Sequence, residues 1–179
     1  MNRVWIVTLS LFLVTRSAGA TVLVPLDLGA LSRDAQVIAR GRVLATGTRW
    51  TDDRRGVETL VTLEVESYLK GAFGETLTFR VPGGRLGRYR SLVVGAPEFT
   101  DGQRVIVFLS YRGPMVPYLV GLGQGVYRLA PAGTRWVVTP PALIAVDQPT
   151  PLVRGDVSRR PLALDDFERR VRDLAGGAR

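Results

Sequence analysis

The amino-acid sequence predicts an all-β or mainly β fold, a small antiparallel barrel with a short N-terminal helical segment and a C-terminal helix. Three observations predict it. Apolar and polar residues alternate with period two from Val57 to Glu66 and again from Thr76 to Val81, as strands with one buried face require. Short apolar segments recur between breaks such as Pro82-Gly83-Gly84 and Asp101-Gly102, a rhythm that suits an antiparallel barrel better than alternating strands and helices. Helical spacing is confined to short segments near Leu28 and near Phe167.

The elements follow in order. Residues 1–20 read as a signal peptide: Asn2-Arg3 is a basic start, Val4 to Val14 an apolar run, and Ala18-Gly19-Ala20 supplies small residues for cleavage before Thr21. The apolar run is broken by Thr15 and Arg16 and is short for a membrane anchor. The expectation is an exported protein, periplasmic or secreted, with no transmembrane segment after cleavage. Residues 21–139 are expected to form the barrel, and residues 140–179 a proline-rich strap and a helix packed on it. Asp27 to Ala35 predicts a short helix. In the next segment Val37, Ala39, Gly41, Val43 and Ala45 share one side of an extended chain, with Arg40 and Arg42 on the other. The strand from Val57 turns Glu58, Glu64 and Glu66 outward, and cross-strand pairs of Glu64 and Glu66 with Arg40 and Arg42 are expected.

Leu77, Phe79 and Val81 predict the next strand, which Pro82-Gly83-Gly84 stops. Residues 85–96 carry no clear period, with Leu92 to Val94 expected to be extended. Val105 to Leu109 is apolar throughout and suits a central strand. Val116 to Val120, Gly125 to Leu129 and Trp136 to Thr139 predict three more short strands. In the last helix Asp165 and Glu168 have capping-box spacing, Phe167, Val171 and Leu174 make an apolar stripe, and Gly176-Gly177 ends the helix.

Composition narrows the chemistry. The chain has no cysteine and no histidine, which excludes disulfides, Ser–His and Cys–His hydrolase sites, and zinc sites built on thiolate or imidazole. No segment has the alternating carboxylates of a calcium loop, so neither metal nor cofactor is expected. The 24 basic residues outnumber the 16 acidic ones, and all but Lys70 are arginines, the side chain suited to carboxylate and phosphate. They are scattered along the chain, so an anionic ligand or a protein is a better expected partner than nucleic acid.

Three runs carry a resemblance. Asp34-Ala-Gln-Val-Ile-Ala-Arg-Gly-Arg-Val43 and Leu63-Glu-Val-Glu-Ser-Tyr-Leu-Lys-Gly71, with Phe99-Thr-Asp-Gly-Gln-Arg-Val-Ile-Val-Phe-Leu109, resemble netrin-like domains over residues 30–130. Uncharacterised exported bacterial proteins share that pattern and resemble the chain most. The resemblance implies an OB-like barrel. It implies no metalloproteinase inhibition, because inhibitors of that family present an N-terminal cysteine to the enzyme's zinc and this chain has none.

The candidate ligand site is Arg85, Arg88, Tyr89 and Arg90, after the Gly83-Gly84 turn, where glycines let the backbone turn tightly and arginines can receive a carboxylate or phosphate. The candidate partner interface is the stripe Phe167, Val171 and Leu174. Gly121-Leu-Gly-Gln-Gly125 lacks the Lys-Ser/Thr ending of a phosphate loop and reads as a close-packed hairpin or bulge. Asp52-Asp53, Glu64 with Glu66, and Asp165-Asp166 are the carboxylates open to acid–base work, though each has a structural use. The aromatics Trp50, Tyr89, Tyr111, Tyr118, Tyr127 and Trp136 either line a groove or support the sheet. The expected function is a non-enzymatic exported binding or protein-interaction domain. The alternative is a carboxylate-dependent extracytoplasmic enzyme, possibly carbohydrate-active, which would need two carboxylates converging in a pocket.

Overall fold

A computed structural model describes residues 24–113, 115–141 and 161–176. The expected signal peptide and most of the expected strap lie outside the described residues. Helix α1 (Leu28–Asp34) starts where Asp27 accepts a hydrogen bond from the Ala30 amide at 2.6 Å, a side-chain N-cap. Two 14-residue strands follow, β1 (Val37–Trp50) and β2 (Val57–Lys70), then β3 (Thr76–Pro82). A small separate hairpin pairs β4 (Gly84–Leu86) with β5 (Tyr89–Ser91). Next come β6 (Arg104–Ser110), β7 (Tyr118–Leu119), β8 (Val126–Ala132) and β9 (Arg135–Thr139). Strand β10 (Leu162–Ala163) leads into helix α2 (Leu164–Gly176).

The pairing order runs β1-β2-β3-β7-β6-β8-β9-β10, and β6 also pairs with β1. The ladder β1-β2-β3-β7-β6 therefore bends back on itself, giving the mainly β, barrel-like sheet that the sequence predicts, without full closure. Its seam is narrow, because β3 meets β7 in parallel through the single pair Arg80↔Tyr118. The Arg80 amide adds a bond to the Pro117 carbonyl at 2.8 Å, and the barrel is close to open along that line.

Side chains alternate between two cores. Val37, Ala39, Val61, Leu63, Leu77, Phe79, Val105, Val107 and Leu109 fill the barrel interior. Ile38, Ile106 and Phe108 project from the opposite faces of the same strands, where Leu31 of α1 and Phe167 and Val171 of α2 cover them. That is why Val105 to Leu109 is apolar without interruption: one face lines the barrel and the other lies under helices.

The glycines serve close approaches. A Cβ on Gly41 would lie 2.3 Å from the Glu64 carbonyl oxygen, so β2 crosses there at a distance no side chain allows. Gly71 has φ +68°, and Lys70 before it donates to the Ser32 and Arg33 carbonyls at 2.9 and 3.2 Å. The single lysine thus satisfies the C-terminal end of α1, where a cation is favoured.

Several expectations need correction. Ala45 is exposed, because register shifts between Val43 and Ala45 end the inward alternation of β1. Glu58 is buried rather than outward, held by Arg49 at 2.7 Å. Leu92 to Val94 form no strand; they follow the β4–β5 hairpin as loop and turn. Asp165 stands inside the first turn of α2 rather than at its cap, and Glu168 bonds Arg40 and Arg172 in place of a capping box.

Candidate functional site

The β4–β5 hairpin forms one wall of a cleft of about 450 Å³. Its root is fixed by two glycines. Gly83 (φ +90°) donates its amide to the Val57 carbonyl at 2.8 Å and accepts from the Thr59 hydroxyl at 2.9 Å. A Cβ on Gly84 (φ +139°) would lie 2.5 Å from Thr59 Oγ1 and 2.9 Å from Thr48 Cγ2. The chain can fold back onto β1 and β2 at this point only because neither residue has a side chain.

Beyond that root, Arg85 pairs directly across from Arg90 in the two-stranded ladder, and both side chains line the cleft. Like charges directly opposite on a sheet are destabilising. Neither arginine makes an ion pair among the described residues. The floor carries the hydroxyls of Thr46, Thr48 and Thr59, while Phe99 and Val93 supply apolar wall and Glu98 a carboxyl group. The site therefore offers two guanidinium forks and the Thr46 and Thr48 hydroxyls beside an apolar wall, with the Glu98 carboxylate also present and the Thr59 hydroxyl already given to Gly83.

Of the four predicted ligand residues, Arg85 and Arg90 face the cleft and the other two do not line it. Arg88 lies over the Tyr89 ring at 5.4 Å, and Tyr89 packs edge-on against Trp50 at 5.1 Å. This stack ties the hairpin tip to the end of β1. The floor threonines were missed in the sequence, although the spacing of Thr46 and Thr48 places them on one face of β1 and Thr48 pairs with Thr59.

The predicted partner stripe is a correction. Phe167 and Val171 are 2 % and 0 % exposed in the core shared with Tyr127 and Phe108, and Leu174 is half-buried beside Gly29 of α1. The stripe is consumed within the chain. The six candidate aromatics also separate. Tyr127 is in the core, where burial pushes its hydroxyl up to about 12. Trp136 lies beneath Arg104 at 4.8 Å, and Tyr111 packs on Phe73. Tyr118 faces Arg80 at the seam, its hydroxyl held below the usual range chiefly by its hydrogen bond with Ser110.

Most of the candidate carboxylates are engaged by neighbouring side chains. Arg42 binds Glu64 at 2.8 Å, as the alternation predicts. Glu66 lies 2.8 Å from Arg104 and 3.3 Å from Arg40 Nε, the latter outside hydrogen-bond geometry. Glu168, its side chain 9 % exposed, receives Arg40 at 2.5 Å and Arg172 at 2.9 Å. A continuous charge chain, Arg104–Glu66–Arg40–Glu168–Arg172, therefore fastens α2 to the barrel. Asp53 is exposed and held low by the Thr51 hydroxyl and the Arg55 amide. Asp166 pairs with Arg169 at 3.1 Å. Gly121 to Gly125 forms a 3₁₀ turn in which a Cβ on Gly125 would lie 2.3 Å from the Val120 carbonyl oxygen, so its glycines serve packing. Among the described residues no metal-binding cluster occurs, and no helix is long and apolar enough to cross a membrane. Comparison with known proteins finds no matching family, no matching curated protein and no matching solved structure.

Proposed function

We propose that the chain is an exported, non-enzymatic binding domain whose cleft takes an anionic ligand between Arg85 and Arg90. The observation that carries this reading is the direct opposition of two arginines on one hairpin, facing a hydroxyl-rich cleft. A sheet that sets like charges opposite each other is less stable for it, and an anion shared between the two forks removes the repulsion and adds charge-assisted hydrogen bonds. The enzymatic alternative lacks comparable support. Of the candidate carboxylates, Glu64 is paired with Arg42 and Glu66 lies against Arg104 and Arg40, and acid–base work needs carboxylates free to exchange protons. Kinship with exported bacterial proteins that resemble netrin-like domains is part of the same proposal, supported by the local patterns of β1, β2 and β6.

The test is calorimetric titration with inorganic phosphate and with citrate at constant ionic strength. Saturable binding that falls at least tenfold in the Arg85→Gln/Arg90→Gln variant is the expected result. Equal heats for wild type and variant would overturn the reading. The same preparation, expressed with its leader in a bacterial host, is expected to begin at Thr21.

A further inference from the structure

Exposed apolar side chains gather at the hairpin end of the barrel. Leu92 and Val94 are 74 % and 61 % exposed, and Val93 between them is 37 % exposed. The exposed rings of Tyr89 and Trp50 pack together nearby. Three consecutive exposed aliphatic residues in a loop are costly in water, whereas singly scattered ones are ordinary. Arginines flank these groups along the chain: Arg88 stacks on Tyr89, Arg90 precedes the loop by two residues, and Arg54 and Arg55 lie in the exposed turn that follows Trp50. The acidic residues of that turn are engaged locally, Asp52 with Arg49 at 3.7 Å and Asp53 with Thr51 and the Arg55 amide.

We propose that this rim, Leu92 to Val94 with Trp50, Tyr89 and Arg88, docks on an anionic lipid surface. Aliphatic residues at a loop tip enter the acyl boundary, tyrosine and tryptophan prefer the headgroup level, and arginines meet the lipid phosphates. A protein partner would explain the apolar loop, but the basic fringe specifies the charge of what it meets. The inference goes beyond the anion cleft: Leu92 and Val93 also line that cleft, whereas Val94, Trp50, Tyr89 and Arg88 do not. Docked this way, the protein holds the open side of its cleft near a surface dense in phosphate.

The experiment is co-sedimentation of the processed chain, beginning at Thr21, with phosphatidylcholine vesicles, with and without phosphatidylglycerol. Wild type is compared with Val94→Asp, an aliphatic rim residue outside the cleft lining, and with Arg88→Gln. These side chains are exposed, so circular dichroism should show both variants folded. The proposal expects binding only where phosphatidylglycerol is present. It expects a loss of at least about tenfold in the aspartate variant and about fivefold in Arg88→Gln. Lipids brominated along their chains should quench Trp50 emission in wild type, and Trp50→Phe should abolish that quenching. Equal sedimentation of wild type and the aspartate variant overturns the proposal, as does binding to neutral vesicles at the same strength. Phosphate titration of the aspartate variant separates the two readings. Retained phosphate binding with lost vesicle binding assigns the rim to lipid and the cleft to the anion. Retained phosphate binding with undiminished vesicle binding sinks the rim alone.

Discussion

Neutralising one arginine of the opposed pair should move stability and binding in opposite directions. In wild type, Arg85 and Arg90 are direct cross-strand neighbours. Like charges so placed cost roughly 0.2–1 kcal/mol, and solvent exposure puts this pair near the lower half of that range. Arg85→Gln keeps the stem and hydrogen-bonding capacity while removing the charge, so the variant should gain about 0.4 kcal/mol. For a chain of this size that is a rise of about 1–2 °C in Tm. A ligand works the other way. Phosphate at ten times its Kd stabilises wild type by about 1.4 kcal/mol, or about 3–5 °C, and should shift the variant by less than about 1 °C. The melt can report on the hairpin because Gly83 and Gly84 fasten it to β1 and β2. Thermal unfolding in phosphate, matched against chloride at equal ionic strength, separates binding from screening. The reasoning fails if Arg85→Gln melts below wild type, or if phosphate and chloride shift wild type equally.

Two other outcomes follow from side chains outside the cleft. Glu168→Ala leaves Arg40, whose side chain is 21 % exposed, with only Glu66 nearby. The loss should be about 2–4 kcal/mol by urea denaturation. An Arg40→Ala/Glu168→Ala cycle should show a coupling above about 1 kcal/mol, and additive losses would deny that the bridge joins α2 to the barrel. Tyr127 is held protonated up to about 12 in the folded protein, against about 10 in an unfolded chain. Its contribution is therefore complete below about pH 10 and is lost as pH rises towards 12, because the unfolded state releases its proton first. Tyr127→Phe should flatten that alkaline decline in denaturation midpoints, and an unchanged decline would assign it elsewhere.

The barrel was legible because period-two alternation reports directly on which face is buried. Val61, Leu63, Leu77 and Phe79 enter the core as their spacing requires, and Arg42 meets Glu64 across β1 and β2 for the same reason. Alternation fails where the backbone shifts register. It could not locate the irregularity that exposes Ala45, nor show that Glu58 turns inward to Arg49. In α2 the apolar spacing identified a face but not its occupant. Ile106, Phe108 and Tyr127 present the complementary surface, and no pattern within the helix specifies them.

The cleft marks a sharper boundary between what sequence carries and what it does not. Gly83-Gly84 followed by three arginines pointed to a segment that forms one wall of a cleft, and it was chosen because chemistry that receives anions uses those residue types. The same segment gave no secondary structure, for a physical reason. A hairpin of three residues a side has too few cross-strand pairs to impose alternation, and it buries little of itself. What holds it is the contact of two glycines with Thr48 and Thr59, residues separated from them by the β1–β2 turn and the length of β2 and β3. That contact also decides which arginines matter. On a two-stranded ladder Arg85 and Arg90 share a face by register, whereas Arg88 at the turn lies over Tyr89, which packs on Trp50. Three arginines adjacent in sequence are thereby divided between a cleft and a rim. Variants at Arg85 and Arg88 should separate soluble-anion binding from lipid binding, although the two residues lie within one short loop of each other.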